Sequence, residues 1–306
     1  MQKPERDKGV EALENIFETE IQGTRYIFSN KIKTSESLFD SFNRLADKTF
    51  GLTFSEVGGD YEPHVLSLDG KVCANVSVNQ IPFYHGGKRK LYIQLGTVMT
   101  DSQFRGKGLS RWLIEHILEK WKGGCDAVYL FANHSVLDFY PKFGFVKAPE
   151  FEYIHPGIKS GGGARKLSMD ERDSVRLALE KYEQGNPFSS LYMAENQTLF
   201  SFYCMDHMKE NVYYSVRYDV ILIADRADGQ IRCCDIFGRT DAELSEVLKE
   251  IPSEEESRII LGFTPKDRES LACRQHVEKD TTLFVYEDEN FPFYSEKLMF
   301  PVLSHA

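Results

Sequence analysis

The stretch that most constrains this chain spans residues 91–145, where a strand-like run, a glycine turn and a helix-like run follow one another without a break. Residues 91–100 (LYIQLGTVMT) are apolar and β-branched, the composition of a buried strand. Residues 103–108 (QFRGKG) contain two glycines, and after them Leu109, Trp112, Leu113, Ile117 and Trp121 recur at the spacing of one helical face. A tight turn opening a helix aims unpaired backbone N–H groups and the positive end of the helix dipole at one point, where a diphosphate fits. Gly106 and Gly108 let the backbone approach phosphate oxygens, and Arg105 and Lys107 add positive charge. The turn is not a GxxxxGK[ST] loop, and Arg111 replaces the third glycine of a dinucleotide fingerprint.

A second signal follows. Residues 127–131 (AVYLF) have the composition of a short buried strand, then come Asn133, a helical segment and residues 139–145 (FYPKFGF). Together the two motifs resemble those of the GNAT superfamily of N-acetyltransferases. Gln103, Gly106 and Gly108 match the Q/R-x-x-G-x-G/A loop; Asn133, Tyr140, Gly144 and Phe145 match the N-x(6)-Y-x-x-x-G-F element. The resemblance implies acetyl-CoA as co-substrate. Its pyrophosphate would lie on Phe104, Arg105, Gly106, Lys107, Gly108, Leu109 and Ser110, and its pantetheine arm along Val98, Met99 and Thr100, with Asn133. Tyr140 takes the family's position of proton donor to the coenzyme A sulfur. Each residue also has a plain structural reading. Tyr140 sits among Phe139, Phe143 and Phe145 as a packed aromatic would, Asn133 can cap the following helix, and Arg105 and Lys107 can be solvated charges.

Composition narrows the remainder. With 306 residues the chain is long for one domain and comfortable for two. A net charge of −10 argues against nucleic acid as the main partner and suits a cationic substrate. No apolar run approaches a membrane span, and the first residues are charged rather than signal-like, so a cytoplasmic protein is expected. Cys73, Cys125, Cys204, Cys233, Cys234 and Cys273 are scattered without a CxxC or a nearby His pair, and no metal is expected.

In chain order, residues 1–20 form a polar lead-in with a helical reading over 10–17, and residues 24–32 alternate like a strand. Residues 35–50 carry Leu38, Phe42, Leu45 and Ala46 on one helical face, with Ser35 as the cap. Two alternating runs flank Asp69-Gly70, a hairpin signal, and another strand follows Gly86-Gly87. Residues 149–165 are poor in apolar side chains and rich in Gly and Pro, the composition of a linker, which predicts domains 1–155 and 166–306. The second half reads as a helix over 170–183, strands over 216–224 and 230–237 around Asp228-Gly229, a helix over 240–251, and strands over 258–263 and 282–287. That order resembles a second GNAT-like unit. Where the first half has its glycine loop, the second has one glycine followed by Asp241 and Glu243, carboxylates that would repel a diphosphate, so a purely structural unit is expected. The predicted class is α/β (α+β): tandem GNAT-like folds, each a mixed, mostly antiparallel sheet flanked by helices.

Acetyl transfer also needs a base. Many members of the family carry a Glu on the strand before the loop, but residues 92–97 contain no carboxylate. Asp60, Glu62, His64, His85 and an ordered water are the alternatives. A further one is the carboxylate of Ala306, in resemblance to the tandem aminoglycoside acetyltransferases of the enhanced-intracellular-survival type. The sequence thus predicts an N-acetyltransferase acting on a small cationic primary amine, of open oligomeric state. Its alternative is a non-catalytic acyl-CoA sensor or scaffold.

Overall fold

A computed structural model describes residues 15–55, 57, 59–159, 161–227, 230–253, 257–286 and 293–305. The chain divides into two compact units, residues 1–78 with 95–122, and residues 79–94 with 123–306.

In the first unit β1 (Ile16–Ile21) and β2 (Thr24–Ser29) pair antiparallel, and β2 pairs antiparallel with β3 (Tyr61–Leu68). Between them lies α1 (Glu36–Phe50), whose start is fixed by Ser35 Oγ accepting the Leu38 N–H and whose end is Gly51 in the left-handed region. β4 (Lys71–His85) leaves β3 through Asp69 and Gly70, both at positive φ as a two-residue hairpin turn requires, and β5 (Lys88–Thr100) follows. Then comes α2 (Leu109–Trp121). Alternation along the strands separates two faces. Val65 points to the core that α1 forms with Phe42, Leu45 and Ala46, together with Val72 and Met99. His64 points the other way, toward Phe28, whose ring also meets Trp112 and His116 of α2.

The second unit continues with β6 (Ala127–Ala132), β7 (Phe145–Lys147), β8 (Glu150–Ile158), β9 (Arg165–Lys166), α3 (Arg172–Glu183), β10 (Ser189–Met193), α4 (Gln197–Phe202) and β11 (Val212–Ser215). After these come β12 (Val220–Ala227), β13 (Gln230–Gly238), α5 (Leu244–Leu248), β14 (Ser257–Leu261), β15 (Thr264–Pro265), β16 (Ala272–His276), β17 (Thr282–Tyr286) and α6 (Phe293–Glu296). Residues Tyr92, Ile93 and Gln94 of β5 pair parallel with β6, and β13 pairs parallel with β14. Each parallel pair is joined by a connection that includes a helix, so the topology of the first half recurs in the second.

The two sheets are completed by exchanged strands. β8 follows β7 closely in sequence but pairs antiparallel with β14 on one side and β16 on the other. β17, from the far end of the chain, fills the place between β6 and β7. Residues 150–158, read from composition as linker, are therefore a strand. The reason is chemical: Glu150 and Glu152 are buried, Glu152 against partners on β16 and Glu150 with one oxygen on the Phe300 N–H, so the polar letters conceal an inward face.

Other boundaries shift as well. Ile16 and Phe17 open a strand rather than ending a helix, while residues 10–14 lie outside the described residues. The strand expected over 24–32 stops at Ser29, and that expected over 216–224 starts at Val220 after a turn with Asp219 at positive φ. The helix expected over 240–251 shrinks to five residues. Asp228-Gly229 and Glu287 lie outside the described residues.

Because β17 separates β6 from β7, a fragment of residues 1–155 lacks the strand that pairs with both. It is expected to show no cooperative thermal transition by circular dichroism, and co-expression with residues 156–306 is expected to restore one. A cooperative transition in the isolated fragment would contradict this.

Candidate active site

The end of β5 is where the backbone departs from regular geometry. Thr97 has φ +47°, unfavourable for a β-branched residue, and a polar network holds it there. Asn75 Nδ2 donates to the Thr97 carbonyl at 2.8 Å, Tyr61 Oη lies 2.9 Å from Thr97 Oγ1, and Ser77 Oγ donates to Tyr61 Oη at 2.9 Å. Beyond it Met99 is committed to the α1-side core, while Val98 and Thr100 are half-buried. Thr100 Oγ1 is 2.6 Å from Ser110 Oγ, which ties the end of β5 to the first turn of α2.

Asp101 shapes the connection. Its carboxylate accepts the Gln103 N–H at 3.0 Å and pairs with Lys71 at 3.0 Å, and these two partners hold it below the usual carboxylate range. A single 3-10 turn (Ser102–Phe104) leads to Gly106 and Gly108, both at φ +77°. There an L side chain would be strained, and a Cβ on Gly108 would also meet Gln22 Nε2 at 3.5 Å. Gly108 is the N-cap of α2 and has no side chain to accept from it. Thus α1 has a capping hydroxyl and α2 has none, which leaves N–H groups of a thirteen-residue helix for an anion. Lys107 Nζ lies 4.8 Å above the Phe104 ring.

Asn133 and Tyr140 belong to the second unit. Asn133 Oδ1 accepts the Ser135 N–H at 3.1 Å, so it caps the turn His134–Val136. Tyr140 is 5% exposed among Phe139, Phe145 and Phe284 of β17, and burial pushes its hydroxyl up to about 12. It is therefore protonated at neutral pH, the state a proton donor needs.

The base candidates separate by access. His64 is fully buried against Phe28, with Nδ1 3.1 Å from the Glu62 carbonyl, and desolvation pushes it down to about 4. Glu62 is held by Asn30 at 2.9 Å and Lys120 at 3.0 Å. His85 Nε2 lies 3.1 Å from Glu296. Ala306 lies outside the described residues, but those before it are docked. The Ser304 carbonyl accepts from Tyr129 at 3.4 Å, the His305 carbonyl accepts from Tyr203, and the His305 ring stacks on Phe131 at 4.0 Å. The apolar run over residues 298–303 was the only sequence signal for that docking.

Residues 60–147 match the family model of an acetyltransferase (GNAT) domain. Among curated proteins none matches. A solved structure of a conserved protein of unknown function from Enterococcus faecalis V583, titled a probable N-acyltransferase, is 15% identical, with 82% of this chain and 70% of that chain covered and a TM-score of 0.55. A GCN5-related N-acetyltransferase from Kribbella flavida is 13% identical over 84% of this chain and 71% of that chain, with a TM-score of 0.50. Eis1 from Mycobacterium abscessus is 17% identical over 84% and 72%, with a TM-score of 0.50. At these identities the likeness to solved structures is one of fold.

The burial of His64 has a pH consequence. Its folded pKa lies below its unfolded one, so the unfolded chain binds the proton first, and stability is lost as pH falls from 6.5 toward about 4. Thermal midpoints measured across that window are expected to fall less steeply for His64→Gln than for the parent, and identical slopes would contradict the assignment.

Proposed function

We propose that this chain, which carries a GNAT acetyltransferase domain over residues 60–147, is an acetyl-CoA-dependent N-acetyltransferase for a small cationic primary amine. The observation that carries the reading is the start of α2, a helix of thirteen residues without a capping side chain, entered through two glycines at positive φ. In the proposed roles the backbone from Phe104 to Ser110 binds the pyrophosphate and Arg105 and Lys107 add charge. Val98, Met99 and Thr100 line the pantetheine arm together with Asn133, whose capping bond leaves its NH2 group available.

The reaction follows from these roles. The neutral amine attacks the thioester carbonyl, a C–N bond forms, and negative charge develops on the carbonyl oxygen, where backbone N–H groups of the β5 end would stabilise it. The C–S bond then breaks. Tyr140 gives its proton to the departing thiolate, and the proton lost by the amine goes to a base or to water. The net charge of −10 supports a cationic acceptor through long-range attraction. Residues 166–306 are proposed as a degenerate unit that does not hold acyl-CoA. The segment equivalent to the glycine loop carries Asp241 and Glu243 and leads into a five-residue helix. A cytoplasmic location is part of the proposal; among the described residues no helix is long and apolar enough to cross a membrane.

A second reading, an acyl-CoA sensor without turnover, is favoured by one observation, that the paired part of β5 presents Gln94 and no carboxylate. The experiment that separates the two is ligand-dependent melting followed by thiol release with an amine panel. Acetyl-CoA is expected to raise the melting temperature of the parent, and Gly108→Val to abolish the shift while leaving a folded protein. Tyr140→Phe is expected to keep the shift and to lower kcat about a hundredfold. A shift without turnover on any amine would favour the sensor, and no shift would overturn both readings.

A further inference from the structure

Apart from the residues assigned above, the second unit has a cleft of 140 Å³, open to solvent on one side, beside the segment joining β16 to β17. Glu150, His276, Glu278 and Thr281 line it, and Ala148 forms part of its apolar wall. Glu150 is 8% exposed; one carboxyl oxygen accepts the Phe300 N–H at 3.0 Å, and among the described residues the other has no hydrogen-bond donor. The neighbouring charges are compensated. Glu152 pairs with Arg274 and with His276 Nδ1 at 3.1 Å, and His276 Nε2 lies 3.4 Å from Glu278. These contacts favour the protonated imidazole and the ionised Glu278, so two cations face two carboxylates. Glu150 is attracted by the same His276 and repelled by Glu278, so three carboxyl groups share two cations and Glu150 is the one without an ion pair.

A buried carboxyl in that state is costly, and burial pushes it up to about 7. It therefore gains most from a ligand that is itself a cation and a hydrogen-bond donor. The cleft has room for an ammonium group on a short alkyl chain.

We propose that this cleft is a binding subsite for a protonated primary amine on a short alkyl chain, with Glu150 as its carboxylate partner. The subsite concerns binding alone and stands apart from the acetyl transfer proposed above. An ammonium donates to the free Glu150 oxygen and supplies the missing charge, while Phe300 keeps the other oxygen fixed.

The test uses the full chain and three probes, 1,3-diaminopropane, propylamine and 1-propanol, in calorimetric titration. The parent is expected to bind the two amines saturably and the alcohol not at all. Glu150→Gln, which retains the volume and an oxygen for the Phe300 N–H, is expected to weaken amine binding at least tenfold. Ala148→Leu is expected to lose it by filling the space, without touching a charge. Equal affinity in parent and Glu150→Gln, or no saturable binding by the parent, would overturn the proposal.

Discussion

The pairing of β17 with both β6 and β7 is the contact on which most of the second unit depends. It brings Phe284 against Tyr140 and packs Leu283 and Val285 into the large core that also contains Tyr129, Phe293 and Phe300. The reciprocal insertion of β8 between β14 and β16 places Glu150 and Glu152 beside His276 and Arg274. A buried carboxylate would be a liability in an apolar sheet, and here Glu152 of the exchanged strand meets Arg274 and His276 of β16.

Much of the first half was legible because its signals are local. The Ser35 cap, the Asp69-Gly70 turn and the α2 face from Leu109 to Trp121 each depend on residues close in sequence, and each stands where its chemistry put it. β8 was missed because its inward side chains include two acids whose partners lie on another strand, information that no window of sequence contains. The short α5 was overestimated for a related reason: Leu248 and Ile251 are buried at helical spacing, yet the helix has ended before Ile251. The docking of residues 303–305 on β6 depends on Tyr129 and Tyr203, far away in sequence.

For the candidate site the glycines were legible, whereas the strained Thr97 was not. Nothing in its immediate sequence marks a non-glycine residue with φ +47°, because its conformation is enforced by Tyr61, Asn75 and Ser77 from β3 and β4. Such over-determination makes the geometry of the β5 end a property of three strands rather than of one loop. Burial likewise separated the base candidates: His64, attractive by residue type, is sealed behind Phe28.

The position of β17 late in the chain also governs how the protein is made. Synthesis proceeds at about 5–20 residues per second, so β6 and β7 are exposed on the order of ten seconds before the strand between them exists. During that interval the nascent chain displays two apolar strand edges to every other chain nearby. Until β17 emerges, pairing of those edges with other chains competes with folding, a hazard of the unfinished chain that the stability of the finished sheet does not lessen.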